Sequence, residues 1–270
     1  MKKIIAMILA AMMMLTMTAA VAEGGKLAEI QADGKLTICT DAAWAPFEYI
    51  GANGEVVGAD IEIAKYIAEQ LGVELEIINV AFDSISTYLT KDEADLSLSA
   101  MTITDERKET LDFSVPYTTA QQYIIVLENN ENVAVLDDLA GQAIGVHLGT
   151  TGDFLVSDEV MMGVLANTGA SVAQYKFLTD AALALKNGEL GAIVCDTMLA
   201  ENIVAVNGGL KCFPLEYKSG PAVLEELGIA MKKGDEEFVA KINEIIAPII
   251  EDGTIDKWLV EHSELASALN

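Results

Sequence analysis

The chain has 270 residues, of which 52% are hydrophobic, and it carries 42 acidic against 16 basic side chains, a net charge of −26. Such a charge repels nucleic acid and anionic membrane surfaces, so neither is expected as a partner. The same net negative charge favours a soluble, monomeric protein.

The first 22 residues have the parts of a secretory signal peptide. Lys2 and Lys3 precede an apolar run, and the small residues at 20–22 predict cleavage before Glu23. No cysteine follows the run and no later stretch has the ~20 apolar residues of a membrane span. The sequence therefore predicts a periplasmic or extracellular protein without a lipid anchor. Removing this segment leaves 248 residues with a net charge of −28, enough for one large or two ordinary domains.

Short apolar runs alternate with helical patterns along the rest of the chain. Runs rich in β-branched residues and bounded by Gly, Asp or Asn predict strands at 35–40, 73–80, 94–100, 122–127, 142–147 and 191–196. Helices are predicted at 60–72, 180–189, 197–206 and, as a pair broken at Asp252-Gly253, within 235–264. Alternation of this kind favours an α/β fold with parallel sheets covered by helices.

Polar clusters follow four of these strands. They are Thr40-Asp41, residues 99–102, residues 147–151 and Cys195-Asp196. Ligands of open α/β sheets bind beyond the carboxyl ends of the strands, so these clusters are the candidate site.

The cysteines and histidines are too few to build a metal centre or a disulfide scaffold. One bridge, Cys195–Cys212, is possible in an exported protein and would leave Cys39 free; three buried free thiols are the alternative. His147 and His262 cannot form a His-rich metal site. We expect no metal and no other cofactor.

Arg107 is the only arginine, whereas the chain has 15 lysines. A surface charge does not require a guanidinium, but two parallel hydrogen bonds to one carboxylate do. Arg107 is therefore the first candidate for a carboxylate ligand, and a structural ion pair is the alternative.

Seven segments, in this order, resemble the extracellular solute-binding proteins of amino-acid ABC transporters, similar to the glutamine-binding and lysine/arginine/ornithine-binding proteins. They are "TDAAWAPFEY" (40–49), "GADIEIAKYIAEQLG" (58–72), "AFDSI" (81–85), "DLSLSAMTITDERKETLDFSVPY" (95–117), "GVHLGTTG" (145–152), "CDTML" (195–199) and "DGTIDKW" (252–258). The resemblance covers nearly all of the chain after the signal peptide. Its most specific part is the Ser/Thr-rich strand that runs into "TDERK".

This resemblance implies two α/β lobes, each a mostly parallel sheet flanked by helices, joined by two crossover strands. The first lobe would contain residues 23–117 and 228–270, and the second residues 122–223. The crossovers would lie near 117–121 and 224–228. A ligand would bind between the lobes, which close over it.

The resemblance also implies a role for each residue that contacts an amino acid. Arg107 would bind the α-carboxylate together with backbone N–H groups of Thr102, Thr150 and Thr151, the last two at a helix N-terminus. Asp196 would bind the α-ammonium, helped by the Ala100 carbonyl and the Thr102 hydroxyl. The remaining expected contacts are Ser99 beside Ala100, the aromatic rings of Trp44 and Phe82 around the ligand stem, and Asp41 and His147 at its side chain.

At the end of the site that would receive the ligand side chain, the candidates include one carboxylate, Asp41, and no strong cation. This combination disfavours aspartate and glutamate as ligands. Lysine, arginine, ornithine, histidine or glutamine fits better. Ala42, Ala43, Ala100 and Met101 are small or apolar where related proteins often have polar residues, so a broader set that includes cystine also remains open.

Two other functions remain open from the sequence. The same fold occurs in exported cyclohexadienyl and arogenate dehydratases, where a cleft carboxylate such as Asp41 or Asp83 would be the general acid. No G-x-S-x-G element and no evident nucleophile–base pair is present, which favours a protein that is not an enzyme. A free-standing sensor that presents the amino acid to a receptor is the third possibility.

Overall fold

The computed structural model describes residues 25–269. In this range no helix has the length and apolar character needed to cross a membrane. The predicted signal peptide, residues 1–22, lies outside the described residues.

In chain order the strands are β1 (Lys35–Thr40), β2 (Ala43–Trp44), β3 (Glu48–Ile50), β4 (Val56–Val57), β5 (Glu74–Asn79), β6 (Leu96–Ser97), β7 (Leu111–Phe113), β8 (Thr118–Ala120), β9 (Gln122–Leu127), β10 (Ala143–His147), β11 (Ser171–Tyr175), β12 (Ala192–Asp196), β13 (Leu210–Pro214), β14 (Glu216–Tyr217), β15 (Gly220–Pro221), β16 (Glu225–Leu227) and β17 (Ala230–Lys232). The α-helices are α1 (Lys26–Asp33), α2 (Ala59–Leu71), α3 (Ile85–Thr90), α4 (Asp105–Lys108), α5 (Thr151–Met161), α6 (Leu178–Lys186), α7 (Thr197–Asn207), α8 (Glu236–Glu251) and α9 (Thr254–Ser267).

Two five-stranded sheets organise these elements. The first has the order β5-β1-β6-β17-β7 and the second β11-β10-β12-β9-β13. In each sheet one strand, β17 or β9, is antiparallel to both of its neighbours, and the other pairings are parallel. The predicted α/β architecture with mostly parallel sheets is therefore confirmed.

The chain crosses between the two sheets twice. β8 leaves the first sheet and β16 returns to it, and the two strands pair antiparallel, with Glu225 opposite Ala120 and Leu227 opposite Thr118. A buried apolar cluster contains residues of both sheets, Ile38 and Ile193 among them, so the two halves pack against one another. The residue limits of the two lobes stay a prediction.

Helix α2 shows how the sequence pattern sets local structure. Ile61, Ala64 and Ile67 recur on one face and are fully buried, which contributes about 1.5–3 kcal/mol for each isoleucine. The helix ends at Gly72, whose φ of 70° is left-handed. It begins after Gly58, where a Cβ atom would lie 2.0 Å from the Phe47 carbonyl oxygen, so only glycine fits there.

The expected third strand is shorter than its apolar pattern suggests. Residues 94–100 were predicted to be extended, but β6 contains only Leu96–Ser97. Ala100 has a left-handed φ of 47°, and its N–H donates to Asp60 Oδ2 at 2.8 Å. The left-handed residue ends the extended segment, and the buried hydrogen bond holds it in place.

The Cys195–Cys212 bridge does not form, and all three cysteines are free thiols in the structure. Cys195 lies in β12 and Cys212 in β13, and β9 runs between these two strands. Strands lie about 4.8 Å apart, so the two Cα atoms are beyond the roughly 7 Å limit of a disulfide. Burial raises the pKa of the Cys39 thiol to about 12, which keeps it protonated.

Candidate ligand-binding site

Arg107 lies between the two lobes. It is held by the short helix α4, whose N-cap residue Thr104 accepts the Arg107 N–H at 3.1 Å. The guanidinium donates to the Thr102 carbonyl at 2.8 Å and, from across the cleft, to the Gly149 carbonyl at 3.2 Å. Within residues 25–269 no carboxylate oxygen comes within 4.0 Å of it. The structural ion pair considered above is therefore absent from the described part of the chain, and the half-buried charge is available to an anion.

The Thr104 cap makes a testable contribution to this arrangement. We expect Thr104→Ala to lower the free energy of unfolding by about 1 kcal/mol, because a helix N–H loses its acceptor. Urea denaturation measures this loss. Thr104→Ser keeps a hydroxyl and should behave like the wild type; equal losses in both variants would show that the methyl group, not the cap, matters.

Three rings form a wall beside the guanidinium. Trp44 and His147 stack with their ring centroids 5.2 Å apart, and Phe82 tilts against His147 at 6.0 Å. The Arg107 Cζ atom lies 5.4 Å from the Phe82 ring centroid, within cation–π distance. Trp44 and Phe82 belong to the first-sheet half and His147 to the second, so this wall spans the cleft. Trp44 is buried and Phe82 half-buried.

Asp41 contacts two members of this wall. Its Oδ2 accepts the Phe82 N–H at 3.1 Å and is 3.5 Å from His147 Nε2. Burial raises the pKa of Asp41 to about 6 and lowers that of His147. The two predicted side-chain contacts are thus brought together at one end of the cleft.

Asp196 ends β12 and is buried. It occupies the N-cap position of α7, but its side chain makes no capping hydrogen bond. Its Oδ1 accepts instead from Gln122 Nε2 at 2.5 Å. Burial, followed by the nearby charge of Glu225, raises the pKa of Asp196 to about 7. A ligand ammonium would share this carboxyl group with Gln122.

Thr150 and Thr151 differ in which of their backbone N–H and hydroxyl groups remain available in the cleft. The Thr150 N–H is bonded to the His147 carbonyl at 3.3 Å, and its hydroxyl caps α5 by accepting the Asp153 N–H at 3.3 Å. The backbone N–H expected from Thr150 is therefore already used. Thr151 is the first residue of the helix, and its hydroxyl oxygen lies 3.5 Å from that of Thr102 across the cleft.

Ser99 and Ala100 are near the cleft but make local contacts. The Ser99 hydroxyl is 2.8 Å from that of Ser97, within the first sheet. The Ala100 N–H is held by Asp60, which leaves its carbonyl as the atom that can face a ligand. Thr102 is buried and forms an isolated β-bridge with Leu227 of the second crossover.

Two residues of the site were not predicted, Gln122 and Glu225. Glu225 Oε2 accepts from both the Thr102 and Thr151 hydroxyls at 2.7 Å, and its Oε1 accepts from Gln122 Nε2 at 3.1 Å. Gln122 follows the first crossover and Glu225 lies in the second, so the only sequence signal was their position at the hinges. A Cβ on Gly152 would lie 2.8 Å from Gln122 Oε1, so a larger residue in the first turn of α5 would displace the end of this side chain.

The site is lined by one guanidinium, three carboxyl groups and three rings. A cavity of about 480 Å³ lies beside the crossovers, with Thr102, Thr151 and Glu225 in its wall, but Arg107, Asp196 and the three rings do not line it. No cluster of three or more His, Cys, Asp or Glu side chains suited to a metal occurs in residues 25–269. The arrangement suits a small zwitterion.

Proteins of known function or structure are similar to most of this chain. The L-cystine-binding protein TcyJ of Escherichia coli is 29% identical over 242 residues, covering 88% of this chain and 87% of the relative. The arginine-bound amino acid ABC transporter substrate-binding protein AbpA of Streptococcus pneumoniae has a TM-score of 0.81 at 29% identity, covering 88% of this chain and 98% of that one. The ancestral amino acid-binding protein AncCDT-1, a precursor of cyclohexadienyl dehydratase, has a TM-score of 0.78 at 31% identity, covering 88% and 99%.

The match to a protein family covers most of the chain. Residues 36–262 match the family described as bacterial extracellular solute-binding proteins, family 3. This span contains both sheets, both crossovers and every site residue described above. The chain belongs to the extracellular solute-binding proteins of family 3.

Proposed function

We propose that this protein captures a free polar or basic amino acid between its two lobes and delivers it to the permease of an ABC transporter. The observation that carries the proposal is the pairing of an anion-binding and a cation-binding group in one cleft. Arg107 presents a guanidinium with no carboxylate partner within residues 25–269, and Asp196 presents a buried carboxyl group. An α-amino acid carries the two complementary charges.

Arg107 would bind the α-carboxylate, with the Thr151 N–H at the start of α5. Asp196 would bind the α-ammonium, with the Ala100 carbonyl and the Thr102 hydroxyl. These groups belong to different lobes, so the full set of partners is assembled only when the lobes are closed around the ligand. Binding would therefore shift the population toward the closed form by the difference in its affinity for the two forms.

A ligand with a basic or amide side chain fits the other end of the cleft. Asp41 supplies a carboxyl group there, and burial keeps His147 mostly neutral by lowering its pKa. TcyJ is named for L-cystine and the AbpA structure contains L-arginine, so relatives of similar overall identity accept different side chains. We infer a polar or basic amino acid and leave the choice to measurement.

The proposal places the protein outside the cytoplasmic membrane as a monomer that binds and releases its ligand without chemistry. The family is extracellular, which supports this location. The net charge of −26 disfavours nucleic acid as a partner. A free-standing sensor that hands the amino acid to a receptor would use the same site, and a neighbouring permease and ATPase gene would favour transport.

The similarity to AncCDT-1 favours one second candidate, a cyclohexadienyl or arogenate dehydratase. Asp196, whose pKa is raised to about 7, and Asp41, raised to about 6, are carboxyl groups that hold protons near neutral pH as a general acid requires. Incubation with prephenate and with arogenate distinguishes the two functions. An aromatic product would establish the enzyme, and intact substrate would leave the binding protein.

The primary test is thermal unfolding in the presence of each common amino acid. The protein is first unfolded and refolded to remove any ligand that co-purified. A ligand at 100 times its dissociation constant adds about 2.7 kcal/mol of stability, which for a chain of this size raises the midpoint by roughly 5–10 °C. A shift with one or a few polar amino acids supports the proposal. A folded sample that responds to none of them contradicts it.

A further inference from the structure

Glu225 joins four parts of the molecule through one carboxylate. It lies in β16, the second crossover, and accepts hydrogen bonds from Thr102 of the first lobe, Thr151 of the second and Gln122 at the end of the first crossover. Both hydroxyl contacts are 2.7 Å long and end on the same oxygen, Oε2. Neither the fold nor the expected contacts of an amino acid require a carboxylate at this position.

The direction of these hydrogen bonds is set by chemistry. A carboxylate has no hydrogen to donate, so the Thr102 and Thr151 hydroxyls must both donate to it. Each hydroxyl has a single hydrogen, which is then committed. The 3.5 Å contact between the two hydroxyl oxygens carries no hydrogen. Thr151 Oγ1 also accepts from Gln122 Nε2 at 3.3 Å, and the remaining lone pairs are what the two oxygens offer to the cleft.

Asp196 belongs to the same network. Gln122 Nε2 donates to Asp196 Oδ1 at 2.5 Å as well as to Glu225 Oε1, so one amide group links the two carboxyl groups. Gln122 Oε1 is buried without a hydrogen-bond partner in residues 25–269, because the amide nitrogen is turned toward the two carboxyl groups. The Asp196 side of the cleft therefore presents the Asp196 carboxyl group, which a ligand ammonium would hold in its carboxylate form, and two hydroxyl oxygens that act as acceptors.

We propose that Glu225 is a positioning residue that orients the Thr102 and Thr151 hydroxyls as acceptors, so that this side of the cleft selects an ammonium group over an uncharged oxygen. An ammonium has three N–H donors and no lone pair, which matches a lining of acceptors. A hydroxyl in its place has one donor and leaves acceptors unpaired in a buried site, which such sites reject strongly. The inference rests on the proposed function, because it assigns the ammonium end of the same amino-acid site.

The test compares each amino acid with the 2-hydroxy acid that carries the same side chain. The probe pairs are L-arginine with L-argininic acid and L-histidine with L-imidazolelactic acid, measured by calorimetry on wild type and Glu225→Gln. The amide of Glu225→Gln can donate to one threonine, which frees that hydroxyl to donate into the cleft. We expect the amino acid to bind at least about tenfold more weakly and the hydroxy acid to bind as before or more tightly.

Two controls separate this role from a structural one. Glu226→Gln changes the exposed neighbour in the same strand and should alter neither affinity. In a Thr102→Val, Thr151→Val background, Glu225→Gln should no longer change the ratio of the two affinities, because the hydroxyls through which it acts are gone.

The outcomes are distinguishable. A fall in the ratio of amino-acid to hydroxy-acid affinity that disappears in the double-valine background supports the inference. Equal losses for both ligands, or no change in either, overturn it and leave the proposed function intact. A wild-type protein that binds no amino acid overturns the proposed function and the inference together.

Discussion

Arg107→Ala is expected to weaken amino-acid binding by at least about a hundredfold, which corresponds to roughly 3 kcal/mol. The ligand carboxylate would enter a partly buried cleft and lose the only guanidinium in the chain. The remaining donors at this end are backbone N–H groups, which cannot replace a paired charge. Isothermal titration with the amino acid identified by the unfolding screen measures the loss.

Two further variants make this result specific. Arg107→Lys keeps the charge without the planar fork and should recover only part of the affinity. Lys108→Ala removes the adjacent exposed cation and should bind as the wild type does. Circular dichroism and urea denaturation check that Arg107→Ala is folded, because the guanidinium also links Thr102 to Gly149. Unchanged affinity in a folded Arg107→Ala protein would remove Arg107 from the site.

The free energy of unfolding is expected to fall by several kcal/mol as the pH rises from about 4 to 8. Burial raises the pKa of Asp41 and Asp60 to about 6, that of Asp196 to about 7, and that of Glu48 well above its usual value. In the unfolded chain these groups titrate near pH 4. The folded protein therefore holds more protons than the unfolded chain between these values, and its stability is lost as the pH rises through the folded pKa values.

Thermal unfolding in buffers from pH 4 to 8 measures this dependence. Repulsion among the 42 acidic side chains acts in the same direction, but salt screens it and does not screen buried carboxyl groups to the same extent. The decrease should therefore persist at 0.5 M NaCl, a concentration chosen to shorten the screening length to about 4 Å. A midpoint that is constant or rises with pH would contradict the prediction.

Glu48 supplies a sharper version of the same test. It is fully buried, neither carboxyl oxygen has a hydrogen-bond donor in residues 25–269, and Asp60 is adjacent. Glu48→Gln removes an ionisable group whose deprotonation costs stability, so the variant should be more stable than wild type at pH 8 and lose less stability between pH 5 and 8. The exposed Glu237→Gln is the matched control and should follow the wild type.

The sequence predicted a strand or helix correctly where one side of the element is buried and where residues typical of turns stand at its ends. The run predicted at 35–40 forms β1 with the same limits, and the break predicted at Asp252-Gly253 separates α8 from α9, where Gly253 has a φ of 73°. Short strands without such a pattern, β2 and β17 among them, were not predicted. Pairing with distant strands stabilises them, and that pairing leaves little trace in two or three residues.

The residues of the candidate site also fall into those that the sequence indicated and those that it did not. The single arginine and the Ser/Thr-rich segment before it pointed to Arg107 and Thr102, because residue type and spacing carry the chemistry. Glu225 and Gln122 were missed, since nothing in "LEELG" or "AQQY" separates a hydrogen-bonded carboxylate or amide from a solvated one. Their importance depends on long-range contacts. Gln122 and Glu225 are separated by 103 positions in the chain, and Thr102 and Glu225 by 123.

The sequence by itself determined most of the longer strands and helices, the family, and the residue proposed to hold a carboxylate, because these depend on residue type and short-range periodicity. Only the tertiary structure decided that Thr150 uses its N–H in a turn, that β9 separates Cys195 from Cys212, and that one hinge carboxylate orients two hydroxyls. Each of these depends on which atoms the crossovers and sheets bring within about 3 Å, the distance at which a hydrogen bond forms.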